Sequence, residues 1–144
     1  VITLGCGVGI QMLGKVIDTS RSARASAVAM GVITVGTILG AVASHTRSLP
    51  LGIAGAAVMG AGYGLALVAG LSEVQRIARA EELAGLTAVY YSVSYTGFFI
   101  PMAFSALAPL LGFTTLFLIG AVLALCCLVN VVLGWRAHLP GPVR

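Results

Sequence analysis

Charge is confined to a few short places in this chain, and that confinement decides its fold class. The eight Lys and Arg and four Asp and Glu fall in three clusters, at 15–24, 73–82 and 136–144, with Arg47 standing alone. Between them lie uncharged apolar runs, and about 18 or more such residues suffice to cross roughly 30 Å of hydrocarbon as a helix. Only 8% of the residues are charged and 59% are hydrophobic, with a mean hydropathy of +1.08, whereas a soluble domain carries about 25% charged residues. The runs predict an all-α integral membrane protein of about five transmembrane helices: a partial span over 1–14, then 25–44, 51–72, 83–111 and 113–134. Residues 1–144 read as a single transmembrane helical domain, with no linker or low-complexity segment.

Residues 1–13 would reach only about 20 Å as a helix, so they are expected to be the inner end of a longer one. No basic leader or cleavage site precedes the apolar run, which argues against a signal peptide and for a truncated start. The stretch GKVIDTSRSAR at 14–24 is a polar connector whose Asp, Thr and Ser residues are N-cap candidates. In the turn at 45–50, Pro50 suits the first turn of the next helix. EVQRIARAEE at 73–82 is expected to form a short surface helix, with Glu73 three residues ahead of Arg76. The run 83–111 exceeds a perpendicular crossing and contains Pro101, which predicts tilt or a kink there. Gly112 is the expected turn, and Trp135 with Arg136 marks an interface.

Residues 61–102, an apolar arm, a charged turn and a second arm rich in Tyr and Ser, read as the hairpin that organises the chain. At about 100° per residue, Thr87, Tyr91, Ser94, Tyr95, Phe98, Met102 and Ser105 share one stripe of the second arm, and Val89, Val93, Ile100 and Leu107 lie opposite. Polar groups at membrane depth face other helices or a wet cavity, so the stripe either packs or lines a path. The spans 25–44 and 113–134 carry little but aliphatic and small residues and are expected at the periphery. Gln11 and Asn130 are amides at membrane depth; Gln11 could face a cavity, while Asn130 calls for a neighbouring helix or a place near the interface. The pairs Gly5 and Gly9, Gly36 and Gly40, and Gly60 and Gly64 have the four-residue spacing of close helix contacts.

Several classes of function are disfavoured. No Asp, Glu, Lys, Arg or His sits centrally in a span, so neither a buried proton relay nor a charged substrate clamp is supplied here. Catalytic constellations are missing, which argues against an enzyme, and no cofactor or metal site is expected. Cys6, Cys126 and Cys127 lie within apolar runs and act as small hydrophobes. The net charge of +4 contains no tract long enough for nucleic acid, and it follows instead from basic residues gathering in cytoplasmic loops.

The order of these elements resembles the C-terminal half of a major facilitator superfamily transporter, from its eighth to its twelfth helix. Gly14 and Asp18 match the first two anchors of the family's loop motif, Gly-x-x-x-Asp-basic-x-Gly-basic, while Thr19, Arg21 and Ser22 depart from it. The stretch GAGYGLALVAGLSEVQRIARAEELAGLTAVYYSVSYTGFFIP is similar to the tenth and eleventh helices of drug- and metabolite-efflux members. The resemblance implies part of a six-helix half-bundle and a secondary transporter exporting or importing a small organic solute by alternating access, while the aromatic, uncharged lining points to efflux of amphipathic compounds. It also implies partnership with an N-terminal half and the lipid bilayer, and location in the plasma or inner membrane. Gln11, Tyr63, Tyr91, Ser94 and Tyr95 are the cavity candidates, with Gly14 and Asp18 in a cytoplasmic loop. The alternative is a non-transporting scaffold or assembly subunit whose tyrosine stripe binds partner helices; a membrane enzyme fits less well.

If successive spans alternate, seven of the eight basic residues share one side and Arg47 alone lies on the other, which makes the seven-residue side and the C-terminus cytoplasmic. In sealed cells, a cysteine at Arg47 should therefore react with an impermeant thiol reagent and one at Arg79 should not. The reverse pattern would invert the topology.

Overall fold

The computed structural model describes residues 22–137. Helices α1 (Ser22–Thr46), α2 (Leu49–Ile77) and α3 (Leu83–Thr96) are followed by a single 3₁₀ turn (Gly97–Phe99), then α4 (Ile100–Leu111) and α5 (Phe113–Ala137). Among the described residues, four stretches are long and apolar enough to cross a membrane: Ala25–Thr46, Leu49–Ile77, Leu83–Leu111 and Phe113–Gly134. The described residues contain no strand. This is the architecture of a multi-pass membrane protein. The expected partial span over 1–14, with Gln11, Gly14 and Asp18, lies outside the described residues.

Close contacts fix the direction of each helix. On the seam between α1 and α2, Gly36 lies against Met59, Gly40 against Gly55, and Ile33 against Gly62. Numbers rise on one helix as they fall on the other, so the pair is an antiparallel hairpin. The ring of Phe117 covers Gly40, and Gly120 faces Thr37, which lays α5 antiparallel along another side of α1. Tyr90 meets Gly70, and Phe104 meets Phe117, so the span of α3 and α4 runs against α2 at one end and α5 at the other. Direction thus alternates through the described spans, which puts Arg76 and Arg79 at one end of the bundle and Arg47 at the other.

The interior is built from small residues. Ala29, Gly36, Thr37, Gly40, Ala41 and Ala43 of α1 are buried, as are Gly55, Gly60, Gly62, Gly64 and Ala69 of α2, and Ala121 and Ala124 of α5, with Leu116 of α5 the one large side chain among the described buried residues. Large apolar side chains point outward, among them Val28, Val35, Ile38 and Val42 on a single stripe of α1. This distribution suits a lipid solvent, in which burying Leu or Val brings no hydrophobic gain and association depends on how closely backbones approach.

That rule also corrects two expectations. The span at 25–44, expected at the periphery, is the most enclosed helix, packed on both α2 and α5 while keeping one outward stripe. The hairpin at 61–102 is not the organising unit; α1 with α2 is. The second arm, α3 and α4, has no buried residue, because its Tyr, Phe and Leu side chains keep neighbouring backbones apart. The expected surface helix at 73–82 is instead the last turn of α2 followed by a turn at 78–82, and the expected ion pair between Glu73 and Arg76 is formed.

The connections follow from backbone chemistry. Pro50 occupies the first turn of α2. At the end of α1, Arg47 adopts φ 52° and the Ser48 N–H donates to the Ala43 carbonyl at 3.2 Å, a helix stop that usually takes glycine. Gly112 has φ 75° and ψ 148°, a conformation costly to any residue with a Cβ, and it reverses the chain between α4 and α5. Pro101 has no N–H to offer the Gly97 carbonyl, and that carbonyl is taken by the Ile100 N–H. The helix therefore tightens to 3₁₀ geometry at Gly97–Phe99, one turn ahead of the proline.

Hydroxyl groups at membrane depth turn back on their own helices. Thr34, Thr37, Ser44, Ser72, Ser92, Ser94, Thr96 and Ser105 each donate to a carbonyl three or four residues earlier. Asn130 does the same, donating to the Cys126 carbonyl at 2.8 Å, so one N–H of this amide is taken up by its own helix. Hydrocarbon offers no competing water, which makes the nearest carbonyl the best partner.

A Cβ at Gly36 would come within 2.9 Å of the Met59 backbone nitrogen, whereas one at Gly31 would meet nothing within 4 Å. Gly36→Ala should therefore destabilise the protein by about 1–3 kcal/mol through overpacking, and Gly31→Ala should be neutral or stabilising by up to about 1 kcal/mol. Unfolding titrations in mixed micelles would separate them; equal effects would mean that the seam is not close-packed.

Candidate functional site

The span from Leu83 to Leu111 divides around its circumference into three strips. Thr87, Tyr90, Ser94, Gly97, Phe104 and Ala108 are its more covered positions, and their spacing places them on one edge, where the helix meets α2 and α5. To one side of that edge lie Val89, Val93, Ile100 and Leu107; to the other lie Tyr91, Tyr95, Phe98 and Met102. Among the described residues, little covers either side beyond the meeting of Phe98 with Tyr63 of α2. Tyr91 is 37% exposed, Tyr95 59% and Phe98 55%, beside 61% for Val89 and 65% for Val93. The two sides differ in chemistry rather than in coverage.

The aromatic side forms a ladder. Ring centroids of Tyr90 and Tyr91 are 5.8 Å apart, those of Tyr91 and Tyr95 6.0 Å, and those of Tyr95 and Phe98 6.0 Å. Phe98 then meets Tyr63 of α2 edge-on at 6.3 Å. Each spacing is within the 4.5–7 Å typical of attractive ring pairs. Helical periodicity sets the rungs, since residues three and four apart stack one above the other. Tyr63 stands at the far end because antiparallel pairing brings residue 63 level with residue 98.

Of the sequence candidates, Tyr63, Tyr91 and Tyr95 are brought together through Phe98. Ser94 lies on the packing edge, with its hydroxyl donating to the Tyr90 carbonyl at 2.8 Å. Gln11, Gly14 and Asp18 lie outside the described residues.

One residue escaped sequence reasoning. Tyr90 is the side chain by which α3 holds α2: its hydroxyl lies 3.0 Å from the Leu67 carbonyl and 3.3 Å from that of Ala66. Gly70 makes room for it, since a Cβ there would come 2.5 Å from the Tyr90 oxygen. A signal was present in the adjacent tyrosines, because about 100° per residue prevents Tyr90 and Tyr91 from sharing a face. Which of them would find a glycine opposite depended on the register of the pair.

Chemically the ladder offers ring faces, ring edges and the hydroxyls of Tyr63, Tyr91 and Tyr95, with the described charged side chains confined to the ends of the bundle. It can stack on flat or amphipathic molecules and exchange hydrogen bonds with them. Among the described residues, no group of three or more His, Cys, Asp or Glu is placed to hold a metal ion.

In comparisons with known proteins, no family model, no curated protein and no solved structure matches the chain.

Because the Ser94 hydroxyl is spent on its own helix, Ser94→Ala should change stability by no more than about 0.5 kcal/mol. A loss above 1.5 kcal/mol in an unfolding titration would mean that the hydroxyl supports contacts beyond the Tyr90 carbonyl.

Proposed function

We propose that the chain forms the C-terminal part of a secondary active transporter of the major facilitator type, moving a small organic solute by alternating access. The observation that supports this reading is the aromatic ladder: three rings, Tyr91, Tyr95 and Phe98, on one open side of a span at membrane depth, joined to a fourth, Tyr63, on α2, with hydroxyls and no charge. Soluble ligands are held by aromatic walls bearing a few polar groups, and transporters place such walls near the bilayer midplane between two halves of the protein. The facing wall belongs to an N-terminal half, its partner in this reading. Tyr63, Tyr91 and Tyr95 contact solute here, and Ser94 shapes the edge. Gly14 and Asp18 form part of a cytoplasmic loop. The uncharged aromatic lining suits amphipathic compounds and efflux across the plasma or inner membrane, with the C-terminus in the cytoplasm.

A second reading is favoured by the same open face: a scaffold or assembly subunit in which a helix of another protein covers the ladder. Water separates the two. In the full-length protein, cysteines at Tyr91 and Tyr95 should react with a small polar thiol reagent, cysteines at Val93 and Ile100 should stay inert, and transported solute should slow the reaction at Tyr91 or Tyr95. Inertness at all four positions, with a loss of about 3 kcal/mol or more in Tyr91→Ala, would favour the scaffold.

A further inference from the structure

We propose that Tyr90 and Gly70 form a latch that sets the pose of the aromatic ladder, with Tyr90 acting as a positioning residue and not as a contact for solute. Its purpose rests on the transporter reading; its mechanics concern only α2 and α3.

Helix α3 carries Tyr91 and Tyr95, so whatever holds α3 places two rungs of the ladder. Very little does hold it. None of its residues is buried, and the hydroxyls of Ser92, Ser94 and Thr96 bond to carbonyls of their own helix. Among the described residues, Tyr90 alone hydrogen-bonds from α3 to another helix, and its single proton is shared between two carbonyls, at 3.0 Å and 3.3 Å. Both carbonyls sit within α2, where backbone N–H groups also use them. The phenol thus takes up spare acceptor capacity, and the bond is one that water reaching residues 66–70 could replace.

The seat is as specific as the bond. A Cβ at Gly70 would lie 2.5 Å from the phenol oxygen, 2.7 Å from Cε2 and 2.9 Å from Cζ, so even alanine displaces the ring. About two turns along α2, Tyr63 meets Phe98 edge-on, and there α3 gives way to the 3₁₀ turn forced by Pro101. Helix α3 is therefore a rod tied at Tyr90 and jointed at Gly97–Phe99. Freeing the tie lets the rungs at Tyr91 and Tyr95 shift relative to Tyr63 without disturbing the tight seam between α1 and α2.

The test uses the full-length protein in lipid nanodiscs, with Cys6, Cys126 and Cys127 replaced by alanine and spin labels at Gln75→Cys and Leu86→Cys, both exposed positions on α2 and α3. The parent should give one dominant distance by pulsed electron resonance. Tyr90→Phe, which keeps the ring and removes the hydroxyl, should raise a second, longer component about fivefold, as expected for one neutral hydrogen bond. Gly70→Ala should make that component dominant, and adding Tyr90→Phe to it should change nothing further, since both act on one contact. Ser92→Ala, which removes a hydroxyl bonded within α3, should leave the distance unaltered. An unchanged distance in both Tyr90→Phe and Gly70→Ala would overturn the latch, as would a loss of stability with no change in distance. A polar thiol reagent at Tyr95→Cys keeps the two ideas apart. Labelling that changes with Tyr90→Phe while Val93→Cys stays constant supports both; a shifted distance with Tyr95→Cys inert retains the latch and removes the path; brisk labelling at an unshifted distance does the reverse.

Discussion

The close approach of the α1 and α2 backbones is the contact on which the rest of this bundle depends. In water, helices associate because large apolar side chains leave solvent; in hydrocarbon that gain disappears, and dispersion between closely fitted surfaces takes its place. Gly36, Gly40, Gly55 and Gly62 remove the side chains that would hold the two helices apart, and α5 uses the same smooth surface through Phe117 over Gly40. With α1 so enclosed, the outward stripes of all three helices are left to lipid.

The span of α3 and α4 is built by another logic. Its bulky side chains forbid a close seam, so it touches α2 through Tyr90 and Phe98 and α5 through Phe104, with a single tightened 3₁₀ turn ahead of Pro101. A long element held at a few points opens at lower cost than one packed along its length. The side chains that suit solute contact are found on this loosely held span, while the tight seam carries none. In the proposed transporter that division gives a stable frame and a wall able to move.

Hydrogen bonding follows the same division. Most of the serine and threonine hydroxyls at membrane depth close onto their own helices, which satisfies them without committing them to a neighbour. Tyr90 differs because its hydroxyl stands far enough from its own backbone to cross the gap, and because Gly70 leaves the carbonyls of α2 uncovered. One phenol thereby does what short side chains cannot, linking two helices while leaving both backbones regular.

Much of this was legible in the residues alone. Confinement of charge determined the membrane-spanning, all-helical architecture, since an ionised side chain at membrane depth is costly whatever the fold. Pro101 and Gly112 located the break and the turn, because both act through their own backbone geometry. The ladder of Tyr91, Tyr95 and Phe98 could be drawn from periodicity, which operates within one helix. Tertiary structure decided which helix is central, that Tyr63 completes the ladder, and that Tyr90 faces Gly70. These depend on register between helices, where a shift of one residue rotates a side chain by about 100°. Glycine, frequent along this chain, offers many nearly equivalent places for a neighbour to settle, and only the assembled bundle selects among them.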